Sequence, residues 1–316
     1  MQAAVVNVLG QPPAYQTFPD PVPMEGEALV QVRACGLHPI VKALALGQHY
    51  MGTSEVPFIP GVDGVGSLED GRRVYFGLAR RPWGTMAELA AAPVTMCFPI
   101  PDNLDLNTAA AIANPGMSAW LSLKDRGSLN EGETVLVLGA TGVAGQLAIQ
   151  AARLLGAKRV IAAGRNVDLL SNADVDAIVP LGESEDSIRE AFTAEARDGI
   201  DVIVDFLWGR PAELLLESLG KGFSARSTHR TRWVEIGDSA GKSIAFPGAI
   251  LRSVDLTILG SGFGSASLDR IIAAIPHLFS MAAAGDLKIA VETVPLSEVE
   301  SAWNRVEKGR RIVFTI

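Results

Sequence analysis

Residues 134 to 155 read TVLVLGATGVAGQLAIQAARLL, and this stretch constrains the fold more than any other. An apolar run of strand length leads into three glycines at intervals of three, Gly139, Gly142 and Gly145. Val143, Leu147, Ala151 and Leu154 then recur at helical spacing, so the reading is strand, tight turn, amphipathic helix. The strand is apolar at every position rather than at alternate ones, as in a parallel sheet covered on both faces. The runs KRVIAAG, DVIVDF and RWVEIG alternate with helical patterns further on. The expected fold class is therefore α/β, with a doubly wound parallel sheet built from βαβ units.

Glycines at such a turn let the backbone bend sharply, bring N–H groups close to a pyrophosphate and let the helix lie tightly on the sheet. The partial positive charge of the helix start adds to that attraction. Gly139, Ala140, Thr141, Gly142, Val143 and Ala144 are thus candidate cofactor-binding positions, although a strand-to-helix turn without a ligand can carry the same spacing. The next strand ends in Gly164-Arg165-Asn166, where an NAD site would carry Asp or Glu for the ribose hydroxyls. Arg165 offers planar donors that match a phosphate, and Asn166 adds a donor while capping the following helix. NADPH is the expected cofactor; the alternative for Arg165 is an ordinary solvated arginine.

The first hundred residues differ in character, with short apolar runs that Pro and Gly interrupt, as in PFIPGVDGVG from 57 to 66. Small strands and turns are expected there, in an antiparallel, barrel-like lobe. In residues 28–34, Val30, Val32 and Ala34 share one face and Gln31 and Arg33 the other, the alternation of a half-buried strand. A helix is expected over 298–308 and a last strand over 311–316, whose partner the pattern does not identify. Residues 253–259 alternate as a strand at the sheet edge, where an open edge invites pairing, so a homodimer is expected.

The net charge of −8 works against nucleic-acid binding, which starts from clustered Lys and Arg. Two nearly span-length uncharged stretches, 106–123 and 134–152, contain Pro or repeated Gly, and neither is expected to form an unbroken membrane helix. With two cysteines, Cys35 and Cys97, and no signal-like start, a reducing cytoplasmic setting is expected.

The segments VRACGLHPIVKALALGQHY, PFIPGVDGVG, NPGMSAW, GATGVAGQLAIQAARLLGA and GRRIVFTI together resemble the quinone oxidoreductase branch of the medium-chain dehydrogenase/reductase superfamily. The resemblance implies a GroES-like β-barrel catalytic domain from residues 1–118 and 260–316, with an NADP-binding Rossmann domain, 119–259, inserted. It implies that His38 and Tyr50 lie on the substrate side as candidate proton donors, His38 standing where relatives usually carry Asn. A structural histidine bonded to backbone is the alternative reading. By the same resemblance Asn114, Ser118, Gly237, Gly260, Ser261, Gly262 and Arg311 approach the cofactor. Zinc-binding members place a Cys at His38, a His-Glu pair at Val62-Asp63 and a third ligand near Asn114. Valine cannot bind metal, so no catalytic zinc is expected.

The implied activity is NADPH-dependent transfer of hydride to a quinone. The alternatives are reduction of the carbon–carbon double bond of an alkenal or enoyl thioester, and binding of NADPH without catalysis. The segment from 66 to 73 is shorter than the family usually has, and residues 220–232 are longer and more basic.

Overall fold

The computed structural model describes residues 1–49, 52, 55–221, 229–306 and 309–316. Tyr50 and most of the basic stretch 220–232 lie outside the described residues. The chain forms two compact units, one of Met1–Pro115 with Ile275–Ile316, the other of Gly116–Ala274.

The second unit carries a six-stranded sheet whose strands, in chain order, are β1 (Thr134–Leu138), β2 (Arg159–Gly164), β3 (Ala177–Pro180), β4 (Val202–Asp205), β5 (Arg230–Glu235) and β6 (Asp255–Gly260). All pairings are parallel, and the spatial order is 3-2-1-4-5-6. This is the order of a Rossmann-type dinucleotide fold, whose chain reverses direction of winding between β1 and β4. The sheet edge strand is β6, as the alternation over 253–259 suggested.

β1 has no solvent-facing side because helices cover both faces of the sheet. Leu136 and Leu138 pack with Ile161, Ala163, Phe192 and Leu215 in one cluster, while Val135 and Val137 point the other way and are equally buried. Helix α1 (Val143–Leu154) follows the turn and buries Val143, Leu147, Ala148, Ile149, Ala151 and Ala152. Leu154, expected on the same stripe, is 44% exposed. It stands at the last helical position, where Lys158 N–H already bonds the Glu133 carbonyl before β1 and the sheet has ended.

The first unit is built on a seven-stranded, mostly antiparallel sheet. Its central strand, Glu27–Gly36, buries Val30, Val32 and Ala34 and exposes Gln31 and Arg33, following the alternation in the sequence. The final strand, Arg311–Thr315, pairs in parallel with Val291–Pro295 and antiparallel with Glu27–Gly36. The helix expected over 298–308 reduces to a 3-10 turn, Leu296–Glu298, and the helix Val299–Ala302. Val299, Ala302 and Trp303 are buried, whereas Asn304, Arg305 and Val306 are exposed. Among the described residues that follow Trp303, none up to Val306 is buried to hold so short a helix.

In residues 106–123, expected not to form an unbroken membrane helix, a helix runs from Leu106 to Leu121 through Asn114-Pro115-Gly116. Proline removes one backbone bond, and the burial of Ala109 to Ala113, Met117 and Ala119 to Leu121 offsets it. At 16 residues this helix is about 24 Å long, short of a bilayer core of about 30 Å. Among the described residues no helix is long and apolar enough to cross a membrane.

Candidate functional site

At the carboxyl edge of the parallel sheet one row of paired residues crosses from β2 to β6: Ala163 with Leu138, Leu138 with Asp205, Asp205 with Glu235, and Glu235 with Gly260. The candidate positions Gly139 to Ala144, Gly164 to Asn166, Gly237 and Gly260 to Gly262 all lie on this row or shortly beyond it, so the fold gathers them on one edge. Such an edge, at the point where winding reverses, is where ligands of open α/β sheets sit.

The glycine turn is shaped by backbone contact. Gly139 adopts φ +92°, a region closed to most L-residues. The N–H groups of Gly139 and Ala140 both bond the Ala163 carbonyl at 3.0 Å, which fastens the turn to the end of β2. A Cβ on Gly145 would lie 2.3 Å from the Gly139 carbonyl oxygen and 2.7 Å from the Ala140 Cα. A Cβ on Gly164 would lie 2.6 Å from the Thr141 methyl. The missing side chains thus let α1 and β2 close on the turn. Gly142 caps α1 without a side-chain acceptor, and the first-turn amides that follow, Val143 and Ala144, have no intrahelical carbonyl to bond. First-turn N–H donors at a helix start fit a dinucleotide pyrophosphate.

Beside it, Asn166 Oδ1 accepts the Leu169 N–H at 3.1 Å and caps the next helix, Val167–Ser171, leaving its Nδ2 as a donor. Arg165 is exposed, and its guanidinium forms no ion pair among the described residues. No carboxylate from the end of β2 competes for that place.

Asp205, Phe206 and Leu207 on this edge were not singled out from the sequence. A Cβ on Gly139 would sit 3.1 Å from Leu207 Cγ and 3.3 Å from Phe206 Cβ, and one on Gly237 would sit 3.3 Å from the Phe206 carbonyl. Both candidate glycines therefore converge on the segment after β4. Asp205 holds that segment: its Oδ1 accepts the N–H groups of Leu207 and Trp208 at 2.8 and 2.9 Å, and its Oδ2 the Trp233 indole N–H at 3.1 Å. An aspartate ending a buried strand, as Asp205 does ahead of Phe206-Leu207-Trp208-Gly209, carries the signal of a side-chain-to-backbone turn.

Burial raises the Asp205 carboxyl to about 6, against the pull of the Trp208, Leu207 and Trp233 donors. The folded chain therefore takes up a proton between about pH 4 and 6 that the unfolded chain does not. The stability this gives is fully present below about pH 4 and is lost as the pH rises through 6. Asp205→Asn removes the slope. The melting temperature of the native protein minus that of the variant is expected to fall from pH 4 to pH 7, and a constant difference across that range would contradict the assignment.

Ser118 and Ser122 are one turn apart. Ser122 Oγ–H donates to Ser261 Oγ at 2.9 Å, and Arg126 Nε–H donates to the Gly260 carbonyl at 2.8 Å, tying the end of β6 to the π turn Ser122–Arg126. Gly262 N–H bonds Ser265 Oγ at 2.8 Å.

The remaining candidates lie in the first unit. His38 is fully buried at the start of the helix Pro39–Ala45, with Nε2 3.1 Å from Asp63 Oδ1. The N–H is not aligned on that oxygen, and neither ring nitrogen has a well-formed hydrogen bond among the described residues. Gly36 makes the space: a Cβ there would lie 2.4 Å from His38 Nε2 and 3.0 Å from the Ala110 carbonyl. Asn114 follows Ala110 by one helical turn, on the same face. Arg311 is buried and donates from Nη1 to the Leu37 carbonyl at 2.8 Å, bracing the backbone beside His38. Among the described residues no three His, Cys, Asp or Glu side chains gather as a metal site.

A six-stranded parallel sheet in this order, with a glycine turn at its reversal point, defines a Rossmann-type dinucleotide-binding protein. No family model matches the chain. It is 28% identical over 360 residues to a probable NADPH-dependent quinone reductase of Emericella nidulans, covering 99% of each chain. It is 31% identical over 201 residues to the quinone oxidoreductase of Sus scrofa, covering 59% of each. Among solved structures, the quinone oxidoreductase of Thermus thermophilus, described with its NADPH complex, superposes over the whole of both chains with a TM-score of 0.81 at 28% identity. Homologues and structural neighbours of this chain thus include quinone oxidoreductases, and it has their medium-chain dehydrogenase/reductase fold.

Proposed function

We propose that this protein is an NADPH-dependent oxidoreductase that delivers hydride to a quinone without a metal ion. The observation that carries the reading is the open cradle of Gly139 to Ala144 beside an exposed Arg165 that pairs with no carboxylate among the described residues. The names of the Emericella and Thermus relatives, with the NADPH complex of the latter, support the same coenzyme and acceptor.

The first-turn amides and the helix dipole hold the pyrophosphate, while the Arg165 guanidinium and the Asn166 amide pair with the 2′-phosphate. Bound there, NADPH supplies the hydride. Asn114, Ser118, Gly237, Gly260, Ser261, Gly262 and Arg311 shape its far end. Negative charge grows on the acceptor oxygen as hydride arrives, and a proton donor there lowers the barrier. His38 fills that role together with Tyr50. A buried imidazole without a well-formed hydrogen bond costs about 1–3 kcal/mol, which favours a working side chain over a purely structural one.

The β6 edge, with Ile258 36% exposed, pairs with its copy in a homodimer. A cytoplasmic location follows from the coenzyme and the two free thiols.

NADPH oxidation measured with benzoquinone, a short enone and a crotonyl thioester tests the acceptor class. Turnover is expected to be fastest with benzoquinone, already electrophilic without help. Turnover of the thioester with none of the quinone would replace this reading by an enoyl reductase.

A further inference from the structure

The His38 imidazole does not stand alone. Asp63, which opens the strand Asp63–Ser67, is 3% exposed, and its Oδ2 accepts the Tyr75 O–H at 2.8 Å. Tyr75 lies on the antiparallel strand Arg73–Gly77 opposite Val65. Asp63 is two residues from Val65, so the phenol and the carboxylate share one face of the sheet as diagonal neighbours. The Asp63 backbone is pinned as well, since its carbonyl accepts the Thr85 hydroxyl at 2.6 Å.

The phenol is itself fixed, with its ring edge-on to Phe279 at 5.6 Å and tilted against Phe98 at 6.3 Å. Burial first, then the Asp63 charge and hydrogen bond, push the Tyr75 hydroxyl well above its ordinary value, so it remains a donor. Burial and the same charge also raise the adjoining Cys35 thiol, which stays protonated and uncharged. Arg311, also buried, donates from Nη1 to the Leu37 carbonyl beside His38. Asp63 Oδ1, 3.1 Å from Nε2, is the carboxylate oxygen that faces the imidazole.

We propose that Asp63 and Tyr75 are positioning residues for proton delivery: Asp63 orients the His38 imidazole, and the Tyr75 hydroxyl fixes the Asp63 carboxylate. This rests on His38 being the proton donor. In each turnover the acceptor gains a hydride from NADPH and a proton from imidazolium, breaking one N–H bond and forming one O–H or C–H bond. The neutral imidazole then takes a proton from solvent, so one solvent proton is consumed.

The two partners act in opposite directions. A carboxylate within about 4 Å stabilises the charged imidazole, so Asp63→Asn weakens its hold on the proton. Without the Tyr75 O–H the Asp63 carboxylate is no longer shared with a phenol, so Tyr75→Phe strengthens that hold. A chain with four histidines suits direct observation: the His38 imidazole signal can be assigned by its absence in His38→Asn and titrated in the coenzyme-free protein by nuclear magnetic resonance. The midpoint is expected to fall by about one pH unit or more in Asp63→Asn and to rise in Tyr75→Phe. The pH profile of enone reduction should move in the same directions, with KM for NADPH unchanged.

Tyr75→Phe removes a single hydroxyl from a packed ring, so it carries the test even if Asp63→Asn does not fold. Midpoints that stay put, or that move in the same direction in both variants, would overturn the proposal. Midpoints that move as expected while the rate profile does not would show that His38 is not the donor, and the proposal falls with that reading.

Discussion

Arg165→Ala is expected to weaken NADPH binding about 10- to 150-fold and to leave NADH binding almost unchanged. A charge-assisted hydrogen bond contributes about 1.5–3 kcal/mol, and that range gives the fold-change. The asymmetry is the informative part. Arg165 is exposed and its guanidinium bonds nothing else among the described residues, so its removal touches only a ligand with a phosphate on the adenosine ribose. Arg165→Lys keeps the charge but loses the planar fork, and should fall between the two. Equal losses for both coenzymes would place Arg165 away from the 2′-phosphate.

Gly145→Ala is expected to damage the fold and the site together. The added methyl would meet the Gly139 carbonyl oxygen at 2.3 Å and the Ala140 Cα at 2.7 Å, both backbone atoms that no rotamer change can move. Helix α1 must lift from the turn, at a cost of about 1–3 kcal/mol by analogy with overpacked cores. For a domain of this size that lowers the melting temperature by about 2–12 °C. The first-turn amides move with the helix, and losing the alignment of one of their bonds to a pyrophosphate costs roughly a further tenfold in NADPH and NADH alike. Gly142→Ala is the control. Its φ of −73° suits any residue, and its Cβ would approach only the Gly139 oxygen, at 3.3 Å. A Gly145→Ala protein with native melting and native coenzyme affinity would refute the close-packing role.

The parts of the site that were legible in the sequence are those fixed by local chemistry. Three glycines between a fully apolar strand and an amphipathic stripe can hardly fold otherwise, and the Asn166 cap follows from a short polar side chain ahead of a helix. The helix through Pro115 was not legible, because burial of its alanines outweighs what proline removes. The short helix after Glu298 escaped for the opposite reason: local pattern suggested a longer one, but no surface waited beyond Trp303. Phe206 and Leu207 reach the glycine turn only because β4 lies beside β1, a neighbour relation that pairs Asp205 with the sequence-distant Leu138. The same holds for His38, Asp63 and Tyr75, whose meeting depends on strand register and on the side chain that Gly36 lacks.

The most direct measurement is a calorimetric titration of the unmodified protein with NADPH and with NADH at one ionic strength. If the N-terminal turn of α1 grips the pyrophosphate and the β2 terminus reads the ribose phosphate, NADPH binds at least about tenfold more tightly. Indistinguishable affinities, or no binding of either, would contradict it.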